Sequence, residues 1–157
     1  MGSDQHFRTE RQRAAAADPH FAGRIRASFA RQKAMTLIGA SLVTVAPGVV
    51  EIALPYRDDL TQQKGYVHGG IVGMIADSAA GYAAYSLMPA DCTLVTTEYK
   101  INLLASATSS LIARGEVVKA GRTLTVARAE VYADDRTHIA TMQQTLMMLA
   151  GRSDHRE

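Results

Sequence analysis

Apolar residues recur along this chain with two different periods. Phe21, Ile25 and Phe29, with Lys33 next in the series, fall every four residues and predict a short amphipathic helix over 19–34, its polar face carrying Arg24, Arg31 and Lys33. Asp18-Pro19 reads as the N-cap and first residue of that helix. Leu37–Ala46 and Val49–Leu54 are rich in β-formers and flank Pro47-Gly48, a turn dipeptide, so they predict a hairpin. A polar loop, Pro55–Tyr66, leads into Gly65-Tyr66-Val67-His68-Gly69-Gly70 and then a long helix over 70–88 that Pro89 terminates. Four further strand-like runs follow, Thr93–Leu104, Ser110–Lys119, Thr123–Ala133 and Thr137–Ala150, separated by short turn signals. Strands joined by short turns need no parallel crossover. The order predicts an α+β protein, with an antiparallel sheet packed on one buried helix.

Length and composition narrow this picture. A chain of 157 residues, 47% hydrophobic and 20% charged, is read as one globular domain over 18–150, with a flexible basic tail over 1–17 and a polar tail over 151–157. The formal net charge of +2 is too small to argue for nucleic-acid binding. It is also uneven: residues 1–34 hold seven basic and three acidic side chains, leaving ten basic and twelve acidic for the rest. The single cysteine, Cys92, excludes an intramolecular disulfide and a multi-cysteine metal centre, and suits a reducing cytoplasm. The polar N-terminus has no apolar core of a signal peptide. Gly69–Ala90 is long enough to span a bilayer, but Asp77 stands in its middle, where an aspartate costs roughly 2.5–3.5 kcal/mol to insert. A buried soluble helix is the better reading. No metal is expected, because His68 and Asp77 are the only close pair of potential ligands and a zinc site takes three or four.

The candidate chemistry lies on that helix. Gly73, Asp77, Ala80, Gly81 and Ala84 share one face, so a neighbouring element is expected to approach closely there, while Ile71, Met74, Ile75, Tyr82 and Tyr85 take the other side. Asp77 sits two turns in from the helix start, the wrong place for a cap. His68-Gly69-Gly70 marks that start, where the first backbone N–H groups lack helical partners and meet the positive end of the dipole. Such a helix end suits the oxyanion of an acyl-transfer intermediate, and a nearby carboxylate can act as general base or nucleophile.

The run GYVHGGIVGMIADSAAGYAAYSL resembles the signature of hotdog-fold acyl-CoA thioesterases of the PaaI-like group. The likeness continues through TTEYKINLLASA and VVKAGRTLTV to ATMQQTLMML, covers residues 35–149, and within the group looks most like bacterial medium- and long-chain acyl-CoA thioesterases. The resemblance implies an antiparallel sheet of about six strands wrapped around a central helix, and pairing as a homodimer or dimer of dimers with active sites at the interface. It implies Asp77 as general base or nucleophile, Gly70 N–H as donor to the thioester oxygen, and His68 in a positioning role. Gln62, with Gln63 as the adjacent alternative, would place the water or thioester. Thr96, with Thr97 second, would orient the lytic water from a partner subunit. CoA contacts would come from the strand ends around Leu103 and from Lys119, Gly121 and Arg122, with Gly69 and Asn102 also in the substrate-binding set. Acyl-CoA is then the substrate and no cofactor is needed.

Two other functions fit the same architecture. A hotdog hydratase would use a different His–acid pattern, which is not seen. A non-catalytic acyl-CoA-binding module would keep the CoA site without the acid, and Asp77 argues against it.

Overall fold

The computed structural model describes residues 15–152 and Asp154. Most of the expected basic tail, residues 1–14, lies outside the described residues, as do Ser153 and 155–157 of the C-terminal tail. Two helices open the described chain, α1 (Phe21–Arg31) and α2 (Lys33–Ile38). The hairpin β1 (Ser41–Ala46) and β2 (Val49–Leu54) follows, then the central helix α3 (Gly69–Tyr85). The last four elements are β3 (Cys92–Leu103), β4 (Leu111–Ala120), β5 (Leu124–Ala133) and β6 (His138–Ala150). The six strands form one sheet in the order β1-β2-β4-β5-β6-β3, every neighbouring pair antiparallel. This is the expected hotdog arrangement, a sheet laid against a long helix.

Four local readings change. The long helix expected over 70–88 ends at Tyr85, with Ser86 as its C-cap, so it stops before Pro89 is reached. The helix expected over 19–34 stops at Arg31, because Gln32 leaves helical geometry (φ −76°, ψ 87°). Residues 33–38, the last two of them read as the start of a strand, form α2 instead, burying Met35 and Ile38 and closing on Gly39 in the left-handed conformation (φ 75°). Asp18 does not cap α1. It is buried, accepts from His20 N at 2.8 Å, and pairs with Arg24 Nε at 3.2 Å.

Arg24 is likewise no solvated side chain. Its guanidinium lies 4.3 Å from the Tyr85 ring centroid. It donates to the carbonyls of Pro89 (2.6 Å), Met88 (2.8 Å) and Tyr85 (3.3 Å). A cation thus meets the negative end of α3 and supplies donors to carbonyls at and beyond the last turn. The same contacts anchor α1 across α3.

The helix lies very close to the sheet. Ala76, Ala79, Ala80 and Ala83 are fully buried, so only methyl groups stand between its axis and the strands. Opposite them on β4 is Gly115, where a Cβ would fall 2.2 Å from the carbonyl carbon and oxygen of Ala79. Burial is not confined to one face: Val72, Ile75, Tyr82 and Tyr85 are buried too. The sheet and α1 together enclose the helix.

Gly115→Ala is expected to destabilise the protein by at least about 1–3 kcal/mol, the range for overpacking, because the contact is with backbone. Gly23→Ala on α1, with nothing within 4 Å, is expected to stabilise it by roughly 0.5–1 kcal/mol. Thermal unfolding of the two variants checks the contrast.

Candidate active site

Asp77 projects from the middle of α3 toward β3. Its Oδ1 accepts a hydrogen bond from Thr96 Oγ1 at 2.9 Å. Thr96 stands at a register irregularity between β3 and β6, Thr96/Glu98. Thr96, expected to act across a subunit boundary, bonds the acid of its own chain. Thr97 turns elsewhere and donates to the Thr145 carbonyl at 2.9 Å. Burial pushes the Asp77 carboxyl above its usual 3.8, and hydrogen bonds from Thr96 and Gln144 oppose that rise. A half-buried carboxylate that accepts a proton more readily than usual is suited to general-base work.

Gln144 was not singled out from sequence. It is fully buried on β6, and its Nε2 donates to the backbone carbonyl of Asp77 at 3.2 Å. Its Oε1 is buried without a hydrogen-bond partner. The available signal is its inward position between two apolar inward neighbours, Met142 and Leu146, in alternating β6. A glutamine there breaks the apolar pattern directly beneath the acid.

A cavity of about 330 Å³ opens beside Asp77 and Thr96. Ser28, Arg31 and Gln32 wall it from the N-terminal segment, Ser78 and Tyr82 from α3, and Leu94 from β3. None of these N-terminal residues was assigned to the site from sequence.

The start of α3 forms a second cluster. His68 is the N-cap, and its Nδ1 accepts from Gly70 N at 2.9 Å. The Gly70 N–H expected to face a thioester oxygen is therefore held by the His68 ring. Ile71 N and Val72 N both donate to the His68 carbonyl, while no partner is found for Gly69 N among the described residues. Gly69 stands against Leu103, whose Cδ1 would be 2.7 Å from an added Cβ. A cavity of about 350 Å³ joins Gln62, Gly69 and Leu103. Gln62 Oε1 accepts from Lys64 N at 2.5 Å, leaving its Nε2 toward other partners. Gln63 is exposed and does not line that cavity.

The remaining expected contacts lie apart. Asn102 is exposed on β3 and accepts from Lys100 Nζ. Lys119 is exposed near the end of β4, and Gly121 and Arg122 occupy the exposed turn that follows, where Gly121 N donates to Leu124 O at 2.9 Å and a Cβ on Gly121 would lie 2.4 Å from that oxygen. No ion pair engages Lys119 or Arg122 among the described residues. This turn is at the end of the sheet where Val117 N bonds Gly48 O and Gly48 N bonds Ser86 Oγ, beside the C-terminus of α3. Gln62, His68, Gly69 and Leu103 mark the opposite end. Cys92 is buried, and burial and the neighbouring Asp91 hold its thiol above the usual range, which disfavours the reactive thiolate. Among the described residues no group of three His, Cys, Asp or Glu is placed to hold a metal, and no helix is long and apolar enough to cross a membrane.

One distance governs the chemistry. Gly70 and Asp77 share a helical face seven residues apart, about 10 Å along the axis at 1.5 Å per residue. Attack on a carbonyl needs reacting atoms about 3–3.5 Å apart. The donors at the helix start and the acid are thus set well apart along one face.

An acid on a helix wrapped by an antiparallel sheet, with a donor-rich helix start, defines a hotdog-type hydrolase. Comparison with known proteins agrees. Residues 64–140 match the Thioesterase superfamily. A thioesterase family protein of Silicibacter pomeroyi is 50% identical, with a TM-score of 0.81 over 83% of this chain and 99% of that one. The 1,4-dihydroxy-2-naphthoyl-CoA hydrolase of Listeria monocytogenes is 30% identical over 90 residues, 57% of this chain and 73% of that protein. The PaaI protein of Escherichia coli shares the fold at a TM-score of 0.78 and 18% identity, over 84% and 96% of the two chains. The protein belongs to the thioesterase superfamily, and its PaaI-like resemblance stands.

Because Thr96 donates to the charged form of Asp77, its loss raises the carboxyl further. Thr96→Val is expected to move the acidic limb of the pH–rate profile to higher pH. The raised carboxyl also disfavours the folded state once ionised: its contribution to stability is present below its usual 3.8 and lost as pH rises through its folded value. Asp77→Asn is accordingly expected to gain stability over the parent as pH rises, with the difference vanishing in acid. Melting temperatures across pH check this.

Proposed function

We propose that the protein is an acyl-CoA thioesterase, hydrolysing the thioester to a free carboxylic acid and CoA. The observation that carries this reading is the Asp77 carboxylate, raised by burial and held by Thr96 at the mouth of a cavity. The CoA thioester named for the Listeria relative supports the substrate class. A backbone N–H at the start of α3 polarises the carbonyl, and Asp77 takes the proton of an attacking water or attacks the carbonyl itself. On the first route the C–S bond then breaks and the sulfur leaves with the proton that Asp77 took from water; on the second it leaves as thiolate, and water then cleaves the aspartyl–acyl anhydride, freeing the acid and restoring Asp77 while a proton from that water neutralises the thiolate. The reaction uses no cofactor beyond the CoA of the substrate. A cytoplasmic setting belongs to the same reading. For Gly70 N–H to bind the oxygen, the His68 ring must release it, so His68 holds the donor in place until substrate arrives.

Two chains complete the site in this proposal. β3 is a twelve-residue edge strand with Val95, Tyr99 and Leu103 exposed along it, an edge that invites pairing. Antiparallel pairing with the same edge of a second copy brings one chain's helix start toward the partner's Asp77 and its Lys119–Arg122 turn. That arrangement resolves the separation of about 10 Å within one helix, and Lys119 and Arg122 then serve CoA phosphates. A dimer of dimers extends the same contact.

Asp77→Asn is expected to stay folded and lose about 10²–10⁴-fold in thiol release, the usual weight of a general base; undiminished turnover would sink the assignment. Mixing the Asp77→Asn chain with a Gln62→Ala/His68→Ala chain should restore about a quarter of parental activity, since half the dimers are mixed and each has one intact site. No recovery in verified mixed dimers would place the whole site in one chain.

A further inference from the structure

Asp18 and Ser86 are buried with their polar atoms engaged, Asp18 by His20 N and Arg24, Ser86 by Gly48 N and the Ala83 carbonyl. Gln144 is buried completely and matched less well. Its Nε2 donates to the Asp77 carbonyl at 3.2 Å, and its Oε1 has no partner among the described residues. A carbonyl only accepts, so this contact sets the amide nitrogen, not the oxygen, against α3.

Neither helix nor core needs that bond. Asp77 lies mid-helix, where its carbonyl already receives the N–H of the residue four places on. In β6 Gln144 shares its face with Met142 and Leu146, both buried. An apolar side chain of similar size would complete that row, whereas a buried oxygen without a donor opposes folding. The amide is instead well placed for the acid. Its nitrogen carries a second N–H. A hydrogen bond from this side chain joins that of Thr96 in holding the Asp77 carboxyl down against burial. Thr96 on β3 stands opposite Leu146, two residues from Gln144 on the neighbouring strand. Two adjacent strands thus present donors to one residue, with Gln144 gripping backbone and carboxylate together. Gln144 does not line the cavity beside Asp77, so it acts through the acid rather than on the acyl group.

We propose that Gln144 is a positioning residue for the reaction, an amide kept in the core at a cost to stability so that the Asp77 carboxylate holds one orientation toward its reaction partner. The inference rests on the thioesterase reading above and adds to it a residue from the far side of the acid. The remaining titratable groups at the cavity are Arg31, paired with Asp154, and Tyr82 and Tyr85 of α3. A change at Gln144 leaves all of these in place.

The test is Gln144→Met, which continues the apolar row and removes the amide. It is expected to fold with a melting temperature at or above the parent's. It should lose at least about tenfold in kcat for thiol release, with KM within about twofold. Its acidic limb in the pH–rate profile should move to higher pH, because a donor to the charged form is gone. Placed on Asp77→Asn, the same change should leave the residual rate within about twofold, since the group it acts through is absent. A parental kcat, a limb that stays in place, or a loss carried by KM would each overturn the inference. So would a lowered melting temperature with the limb unmoved, the mark of a merely structural role. Gln144→Asn keeps an amide but withdraws it by one methylene, so its limb should move the same way, and an unmoved limb in that folded variant overturns the inference too. Absence of thiol release from every acyl-CoA overturns the thioesterase reading instead. Titration of isotope-labelled Asp77 carboxyl by NMR still decides Gln144 in that case: an upward shift in Gln144→Met supports its role, and no shift overturns it.

Discussion

The close approach of α3 to the sheet is the contact on which the rest of the molecule depends. It exists because four alanines line the sheet side of the helix and β4 offers a glycine where the Ala79 backbone arrives. A larger residue at either place would push the helix outward, and interiors packed near crystal density absorb little such change. That seating sets how far Asp77 reaches toward β3, and therefore whether Thr96 can bond it. It also lets Gln144, buried in β6, reach the backbone of the same residue. Two polar contacts from the sheet thus fix an acid that burial alone would leave costly and mobile in its ionisation.

The geometry also separates labour along one helix. The start of α3, with its capping histidine and glycines, provides backbone donors; its middle provides the acid; its far end is closed by Arg24. The first turn and the third of a rigid helix stand well apart. In the proposed two-chain site a second helix running the other way closes that gap, and β3 is the long exposed edge strand available for pairing. The N-terminal segment adds hydrogen-bonding side chains to the cavity beside the acid.

Much of this was legible in the residues. The boundaries of β2 to β6 were readable to within a residue or two, from alternation in β2, β4 and β5, which keep one face on the core, and from β-rich composition and turn signals in β3, which is exposed along most of its length. The Asp77 signal was readable because an acid in a run of small and apolar residues needs a reason. The first forty residues were less legible. The α1–α2 break falls at Gln32, an ordinary residue, and the apolar Leu37-Ile38 pair suits strand or helix equally until Gly39 is weighed as a helix stop. Arg24 read as solvated because a helix face looks polar until another helix end is known to lie against it.

The sequence by itself determined the element order, the apolar faces, the acid, and the glycine-rich helix start, since period, turn chemistry and an out-of-place charge are local properties of the chain. Tertiary structure alone decided which side chains meet. It set Thr96 and Gln144 on Asp77, gave the Gly70 N–H to His68, drew Ser28 and Tyr82 into one pocket, and left the β4–β5 turn at the far end of the sheet. Those contacts join residues 19 to 67 positions apart, or, at His68, turn on a single rotamer. Only the packing of helix on sheet specifies them.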